Sequence, residues 1–316
     1  MLVKTVFITG ATGYLGQAVA ARMQRGGRTV YGLARSESGA QRLAAHGVRP
    51  VFGSLDDVDI LIREARSADA VVDTASADHA PSTRALLDAL AGSEKKYIRT
   101  SGTGVYTDLA HGEAGETVYT EDSDHTPAPV VATRNASDLS VLLAAERGVH
   151  SVVIRPPMVF GDGASEQLPL LIRQAIRSGK SLYVGAGENR WSNAYIADVA
   201  EAYSLALEKA PPGSLYNLAA GEARMRDIAE AVAVLTGVGS AESCTPETAY
   251  AVFGKRWVDV ALASNSRVDA SKARRELGWN PQGPGLLDDL TTGSYRRVWA
   301  DKADPHDSSS ADQEAS

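Results

Sequence analysis

The sequence predicts an α/β fold, a doubly wound parallel sheet followed by a smaller C-terminal lobe. Short apolar segments rich in β-forming residues alternate with amphipathic helical segments over the first 155 residues. This alternation is typical of parallel sheets with helices on both faces. A glycine-rich turn also separates the first predicted strand from the first predicted helix. Together these observations predict that ligands bind outside the carboxyl ends of the strands.

The glycine-rich turn, residues 9–16, has the sequence TGATGYLG and follows an apolar segment at 3–8. Gly10 permits a tight turn, Gly13 leaves the backbone open to a pyrophosphate, and Gly16 allows the helix to lie close to the strand. The free N–H groups and the positive end of the helix then face the phosphates. The residues predicted to contact a dinucleotide here are Gly10, Thr12, Gly13, Tyr14, Leu15 and Gly16.

Composition and charge argue against several classes of protein. The 316 residues are enough for one or two domains, and the net charge of -7 gives no basic face for nucleic acid. Cys244 is the only cysteine, so the chain has no intrachain disulfide, as in a reducing cytosol. No apolar stretch approaches the roughly 20 residues of a membrane span, and a strand begins where a signal peptide would stand. We therefore expect a cytoplasmic protein without nucleic-acid or membrane partners.

The end of the second predicted strand, residues 28–34, indicates which dinucleotide binds. Arg35 and Ser36 follow this strand directly. An acidic residue here would bind the ribose 2′-hydroxyl of NAD, whereas the donors of Arg35 match a 2′-phosphate and Ser36 adds another donor. The pattern favours NADP, with NAD as the alternative if Arg35 is only a solvated surface residue.

The remaining elements follow in the order that a doubly wound fold requires. Further strands are predicted at 48–52, 68–74, 96–101, 151–155, 181–184 and 215–219. Helices are predicted at 38–46, 58–66, 81–91, 130–147, 168–177, 198–209 and 226–236. The polar segment 108–129, rich in glycine, proline and acidic residues, is a predicted loop of the length that often covers a site.

The segments after the third, fourth and fifth strands extend the predicted site. Adenine is expected beside Ser54 and Leu55, and the following Asp56 or Asp57 is either part of this site or a helix N-cap. Small residues predicted to run beside the cofactor are Thr74, Ala75 and Ser76. The fifth strand leads into residues 102–106, where we expect the chemistry.

This order of elements predicts the organisation of the chain. Residues 1–160 are expected to form a dinucleotide-binding domain that also takes some elements from 181–220. Residues 161–300 mainly form a substrate-binding lobe, and the Asp- and Ser-rich residues 301–316 form a disordered tail.

Five segments resemble the extended and atypical short-chain dehydrogenase/reductase superfamily, in the branch of NAD-dependent epimerases and dehydratases. They are the glycine turn, TSGTGVY at 100–106, IRPPMVFG at 154–161, WSNAYIADVA at 191–200 and LGWNP at 277–281. The resemblance implies a Rossmann fold and a nicotinamide dinucleotide. It also implies that Ser101, Pro156 and Val159 lie at the nicotinamide end.

The chain departs from the family at the catalytic positions. The family uses a Ser or Thr, and a Tyr with a Lys four residues later, as acid or base. Alignment places Gly102 at the hydroxyl position, between Ser101 and Thr103, and places Val131 and Asn135 at the Tyr and Lys positions. No nearby Tyr and Lys have the required spacing.

Other side chains near these positions are candidate catalytic residues. Asn135 is a candidate to hold the nicotinamide ribose or a water molecule. Arg134 and Asp138 share a helix face with it, and they belong either to the site or to an i,i+4 surface ion pair. Thr103 either polarises a carbonyl or bonds to the backbone, and Tyr119 is either an acid from the loop or a surface residue.

Four further side chains are predicted to line the substrate pocket. Tyr106 is expected in the pocket wall, with Asn193 and Tyr195 beyond it. Trp191 either joins them or packs between the lobes. No pair of histidines has the spacing of metal ligands, so no metal is expected.

The predicted function is that of an NADP-dependent oxidoreductase acting on a carbonyl or alcohol of a small molecule. One alternative is epimerase or dehydratase chemistry with tightly held NAD(P). The other is a redox-silent dinucleotide-binding sensor or scaffold, which the missing catalytic residues favour. A homodimer through the helices at 81–91 and 130–147 is a further expectation.

Overall fold

The computed structural model describes residues 3–300, so the predicted tail at 301–316 lies outside the described residues. Strands of the described residues are β1 (Thr5–Thr9), β2 (Thr29–Ala34), β3 (Arg49–Phe52), β4 (Ala70–Asp73), β5 (Lys96–Thr100), β6 (His150–Arg155), β7 (Met158–Phe160), β8 (Ser181–Val184), β9 (Arg190–Tyr195), β10 (Ser214–Asn217), β11 (Gly221–Arg224) and β12 (Ala241–Cys244). Helices are α1 (Tyr14–Arg25), α2 (Glu37–Ala45), α3 (Val58–Ser67), α4 (Ala80–Leu90), α5 (Ala132–Leu143), α6 (Leu168–Ser178), α7 (Ile196–Lys209), α8 (Met225–Thr236), α9 (Pro246–Phe253), α10 (Lys255–Trp257), α11 (Leu286–Thr291) and α12 (Ser294–Trp299).

Seven strands within residues 3–300 form one parallel sheet in the order β3-β2-β1-β4-β5-β6-β10. The chain moves outward from β1 to β3, then crosses back to β4 and continues in the other direction. This reversal places the switch point between β1 and β4, where ligands of doubly wound sheets bind. The predicted fold class is confirmed.

Alternating side chains of the central strands build a core on each face of the sheet. Val6 and Ile8 of β1 pack in a cluster with residues of α1, α2 and α7. Phe7, between them, packs on the opposite face with residues of α3, α4 and α5. Helices therefore cover both faces, as the continuous apolar character of the strands requires.

Outside the seven-stranded sheet lie two small sheets with their own apolar core, and these elements are called the second lobe. β7, β9 and β11 form one sheet, and β8 pairs with β12. The core includes residues of α6, α8 and α11. The sequence pattern did not predict β7, β9, β11, β12 or α9–α12, because these elements are short and most of the strands pair with residues distant in sequence.

The helix predicted at 130–147 differs from the observed element at both ends. A 3₁₀ turn at Pro129–Val131 precedes α5, and a second at Ala144–Arg147 follows it. Gly148 in the left-handed conformation then ends the helical segment. Such tightening at helix ends is common and leaves no sequence signal of its own.

No helix within residues 3–300 is long and apolar enough to cross a bilayer.

The glycine turn packs directly against the end of β4. Gly10 has φ +69°, and a Cβ added there would lie 2.6 Å from the Ala75 Cα. A Cβ on Gly16 would lie 2.1 Å from the Gly10 carbonyl oxygen. Gly16 therefore allows the close contact of helix and strand that the sequence predicts.

Substitution of Gly10 tests this packing, and Gly179 supplies a matched control because it has the same φ of +69° with nothing within 4 Å of its added Cβ. We expect Gly179→Ala to cost about 1–2 kcal/mol for the left-handed backbone alone. Gly10→Ala should cost about 1–3 kcal/mol more from overpacking. Urea unfolding measures both, and equal losses would show that the turn adapts to a methyl group.

Candidate active site

The candidate site is built around the Asp138 carboxylate, which is fully buried on α5. Its Oδ1 accepts a hydrogen bond from Arg99 Nε at 3.0 Å. Its Oδ2 accepts from Ser101 Oγ at 2.7 Å and from Arg155 Nε and Nη2 at 3.0 and 2.9 Å. One carboxylate thus holds the ends of β5 and β6 against α5.

The strand pattern explains why these groups meet. Arg99 lies two residues after Tyr97, and Arg155 lies two residues after Val153, so each arginine shares a sheet face with an apolar residue packed under α5. Because β5 and β6 are neighbours in register, both guanidinium groups reach the same point of the helix. A charge in a buried strand requires such a partner.

The expected alternative of an i,i+4 surface pair between Arg134 and Asp138 is wrong. Asp138 faces the sheet and is saturated by Arg99, Arg155 and Ser101. Arg134 turns the other way and donates from Nε and Nη2 to Asp78 at 3.1 and 3.0 Å. Helix spacing alone did not show that this face of α5 is buried.

A second buried carboxylate, that of Asp73, lies at the end of β4. Thr9 Oγ1 donates to Asp73 Oδ1 at 2.5 Å, and the Tyr97 hydroxyl donates to Oδ2 at 2.9 Å. Burial, together with the neighbouring Asp73 charge, raises the pKa of the Tyr97 phenol well above its usual range. Tyr97 is therefore a fixed neutral donor.

Arg155 extends the network toward the expected reaction centre. Its Nη1 donates to the Tyr106 hydroxyl at 2.7 Å, and its Nη2 donates to Asn135 Oδ1 at 3.2 Å. The Tyr106 hydroxyl donates in turn to Asn217 Oδ1 at 3.3 Å. The amide oxygen of Asn135 is thus oriented by a buried cation, while the hydroxyl of Tyr106 is engaged within the protein.

The predicted loop at 108–129 is fastened beside this network. The Tyr119 ring stacks on Tyr106 with centroids 4.6 Å apart. Glu121 Oε1 accepts from the Asn217 N–H at 2.8 Å. Burial raises the pKa of the Glu121 carboxyl, against the opposing effect of that hydrogen bond. Tyr119 is half-buried in this arrangement rather than a solvated surface residue.

Thr103, just beyond β5, has a buried hydroxyl without a hydrogen-bond partner within residues 3–300. Its backbone is held on both sides: its N–H donates to the Pro156 carbonyl at 3.0 Å, and its carbonyl accepts from Ser266 Oγ at 2.8 Å. The expected alternative, a bond from the hydroxyl to the backbone, is not formed. A buried polar atom in this state calls for a ligand or another explanation.

Above the end of β5, charged and apolar groups surround two glycines. A Cβ added to Gly102 would lie 3.4 Å from Arg134 Nη1. One added to Gly104 would lie 3.2 Å from Val260 Cγ1 and 3.9 Å from Trp191 Cη2. Trp191 is therefore close to the predicted pocket while it also packs in the second-lobe core, donating from Nε1 to the Ser264 carbonyl at 2.8 Å.

The other predicted pocket residues on β9 lie in different surroundings. Asn193 is buried beside Gly221 of the antiparallel partner strand. Tyr195 packs edge-on against Phe160, and its hydroxyl donates to Asp162 Oδ1 at 3.2 Å. Neither side chain is among the atoms nearest to a Cβ added on Gly102 or Gly104.

The residues predicted for the dinucleotide line the carboxyl edge of the sheet. Gly13 is the N-cap of α1 without a side-chain cap, and the first turn of this helix carries no acidic residue among those described. The Tyr14 hydroxyl donates to the Gly161 carbonyl at 3.0 Å, and Thr74 Oγ1 donates to the Thr9 carbonyl at 2.7 Å. The positive end of α1 thus carries no side-chain cap and no acidic residue, a combination that suits an anion.

At the adenosine end, Arg35 is exposed and forms no ion pair among the described residues. Ser36 caps α2, because its Oγ accepts from the Gly39 N–H at 3.1 Å. Asp57 lies at the N-cap position of α3, yet its carboxylate accepts from Ser54 N–H and Oγ rather than from the helix. These bonds shape the turn after β3.

No group of three His, Cys, Asp or Glu residues within residues 3–300 has an arrangement that would hold a metal ion.

Sequence reasoning missed Arg99, Arg155 and Asp78 as site residues. The signal for the first two was present, since each arginine directly follows an apolar residue, Ile98 or Ile154, near the carboxyl end of a predicted strand. Asp78 follows β4 in a polar segment and carried no such signal.

The chain is similar in sequence to a family of known proteins. A model of the NAD dependent epimerase/dehydratase family matches residues 6–219. An uncharacterized protein of Schizosaccharomyces pombe, C2A9.02, is 31% identical over 303 residues, covering 92% of this chain and 99% of that protein. The 4-hydroxy-2-methyl-3-oxo-4-farnesyl-3,4-dihydroquinoline-1-oxide ketoreductase of Stigmatella aurantiaca is 29% identical over 228 residues, 68% of each chain.

A solved dTDP-glucose 4,6-dehydratase of Bacillus anthracis, in complex with NAD, has the same fold. It superposes with a TM-score of 0.76 at 18% identity, covering 95% of this chain and 98% of that one.

Removal of the Asp138 charge should strongly destabilise the fold. Asp138→Asn keeps the shape but leaves two buried guanidinium groups without a counter-charge, at a cost of about 3–5 kcal/mol. The matched control is Asp88→Asn, which breaks the exposed ion pair with Arg147 and should cost about 0–1 kcal/mol. Urea unfolding compares the two, and similar small losses would mean that the buried charges relax by other contacts.

Proposed function

The chain belongs to the NAD dependent epimerase/dehydratase family, and from this premise we propose that it is an NADP-dependent oxidoreductase of small molecules. In this proposal it reduces a carbonyl group, or oxidises the corresponding alcohol, at the carboxyl end of β5. Its catalytic groups differ from the usual Tyr and Lys of the family. The observation that carries the proposal is the unpartnered hydroxyl of Thr103.

The Thr103 hydroxyl is suited to polarise a substrate oxygen. Its backbone is fixed by Pro156 and Ser266, so the hydroxyl is pre-positioned. A substrate carbonyl would supply the missing acceptor, and stabilisation of developing negative charge by a fixed donor is a large catalytic effect. Because this hydroxyl is now shielded from solvent, substrate binding must displace some of the side chains around it.

The residues present fit a dinucleotide. The uncapped N-terminus of α1 and the glycine turn would hold the pyrophosphate. Residues 54–55 and 74–76 would border the adenosine, with Ser101, Pro156 and Val159 near the nicotinamide. When bound, the nicotinamide supplies or accepts the hydride.

Proton transfer then requires a group other than the usual tyrosine. Helix α5 contains neither tyrosine nor lysine, and Asn135 stands where the resemblance places the lysine. Arg155 orients the Asn135 amide oxygen, which leaves the Nδ2 group to bind a ribose hydroxyl or a water molecule. The proton comes from that water, from Thr103 or from the Tyr119 phenol.

The cofactor proposal rests on Arg35. The exposed guanidinium directly follows β2 and has no competing carboxylate partner among the described residues. Its donors match a 2′-phosphate, whereas a ribose 2′-hydroxyl needs an acceptor at this place. NADP is therefore proposed in preference to NAD.

Reduction is favoured over the other reactions of the family by the relative from Stigmatella aurantiaca, which is a ketoreductase. The second candidate, a redox-silent dinucleotide-binding protein, is favoured by the absence of tyrosine and lysine from α5. Turnover of any carbonyl compound separates the two. Nucleotide that co-purifies and resists exchange would instead indicate epimerase or dehydratase chemistry.

The homodimer stays a prediction. Leu139 and Leu143, one turn apart on α5, are 55% and 59% exposed and give this helix an apolar outer face. That face provides a surface on which the helices of a second copy would pack.

Thr103→Val separates a catalytic role from a structural one. Because the hydroxyl has no partner, its replacement should leave the free energy of unfolding unchanged or raise it by about 1–3 kcal/mol. NADPH oxidation with a panel of aldehydes and ketones should fall about 100- to 1,000-fold.

Thr236→Val is the matched control, since its buried hydroxyl, at the C-terminal end of α8, donates to the Val232 carbonyl at 2.7 Å. It should lower stability slightly and leave the rate unchanged. An unaltered rate in Thr103→Val would remove Thr103 from catalysis. A wild-type protein that binds NADPH but reduces nothing in the panel would support the redox-silent candidate.

Arg35→Ala tests the choice of cofactor. Loss of the charged donors should weaken NADPH binding by about 10- to 100-fold and leave NADH binding nearly unchanged, because only NADPH carries the 2′-phosphate. Calorimetric titration measures both dissociation constants. Equal losses for the two nucleotides would contradict the assignment.

A further inference from the structure

Two arginines from different parts of the fold share one carboxylate beside the candidate site. Arg134 of α5 and Arg256 of α10 both donate to Asp78, Arg256 from Nη2 at 2.6 Å. Burial alone would raise the pKa of the Asp78 carboxyl, but the hydrogen bond and charges of the two arginines hold that pKa below its usual value. Among the described ion pairs, this cluster carries an excess of one positive charge.

Arg134 keeps a donor group for another partner. Its Nε and Nη2 are bound to Asp78, while its Nη1 makes no hydrogen bond within residues 3–300. Nη1 points toward the end of β5, because it would lie 3.4 Å from a Cβ on Gly102 and 3.7 Å from one on Gly104. Any side chain at those positions would occupy the space in front of this donor.

Apolar side chains border this donor on one side. Val260 and Trp191 flank Gly104 on the side of the second lobe. The Arg134 side chain is only 18% exposed, so an ion pair formed beside these apolar groups is stronger than one on an open surface. An anionic group of the substrate would therefore find a single, directed cationic partner close to Thr103.

We infer that Arg134 binds a carboxylate of the substrate, so that the enzyme acts on carbonyl compounds that carry a carboxylate on a small apolar body. This rests on the proposed function for the position of the reacting carbonyl. One substrate carboxylate neutralises the single excess positive charge of the cluster of Asp78, Arg134 and Arg256. The diphosphate of a sugar nucleotide would bring two negative charges to this cluster. The remaining Nη1 group supplies one charge-assisted hydrogen bond to that carboxylate.

Asp78 sets the strength of this binding. Its carboxylate competes with the substrate for the guanidinium of Arg134 and partly neutralises it. Asp78→Asn should therefore strengthen carboxylate binding, while Arg134→Gln should abolish it. The opposite signs of the two variants keep the inference testable even if one of them is less stable.

The experiment uses the full chain. It compares oxo acids, for example pyruvate, acetoacetate and levulinate, with the methyl esters of the same acids. Calorimetric titration measures binding, and NADPH oxidation is followed in parallel. For wild type we expect at least one acid to bind about 10- to 100-fold more tightly than its ester, the value of one hydrogen bond to a charged group. Arg134→Gln should reduce that ratio to about one, and Asp78→Asn should increase it.

Arg147→Gln is the matched control, because it removes an arginine of a surface ion pair with Asp88. It should leave the ratio unchanged. Equal binding of acids and esters by wild type, or a ratio that persists in Arg134→Gln, would overturn the inference. If acids and esters are reduced equally well, the inference about Arg134 is wrong and the proposed oxidoreductase function stands. If the protein binds acids selectively but does not oxidise NADPH, only the proposed oxidoreductase function is wrong.

Discussion

The Asp138 carboxylate and its two buried arginines are the constraint on which the rest of the site depends. Burial of three charged groups is costly unless every donor and acceptor is satisfied. Here the arginines come from adjacent parallel strands and the carboxylate comes from the helix that covers them. The requirement to keep these bonds therefore fixes the position of α5 against β5 and β6.

Several positions of the candidate site follow from that one arrangement. Ser101 is held because its hydroxyl donates to Asp138, and Asn135 is oriented because Arg155 is itself held by Asp138. Arg155 also holds Tyr106, on which the loop residue Tyr119 stacks. The cation beside Asn135 is the buried Arg155, which is fixed within the protein by Asp138.

Parts of this account could be predicted from the sequence because they depend on neighbours in the chain. The glycine turn and the alternation of strands and helices are local patterns, so the fold class and the turn geometry at Gly10 and Gly16 were predictable. The ion-pair partners of Asp138 could not be predicted in this way. Local spacing suggested Arg134, four residues away, whereas the observed partners Arg99 and Arg155 are brought to it by the sheet. The orphan hydroxyl of Thr103 likewise depends on side chains that only the folded structure brings together.

The measurement that tests the central claim most directly is calorimetric titration of the purified wild-type protein with NADPH, NADP⁺, NADH and NAD⁺, after absorbance has shown whether nucleotide co-purifies. The account predicts a dissociation constant for NADPH of about 1–10 μM, and much weaker binding of NADH. Failure to bind any of the four nucleotides would contradict the account, because the glycine turn would then serve the fold alone.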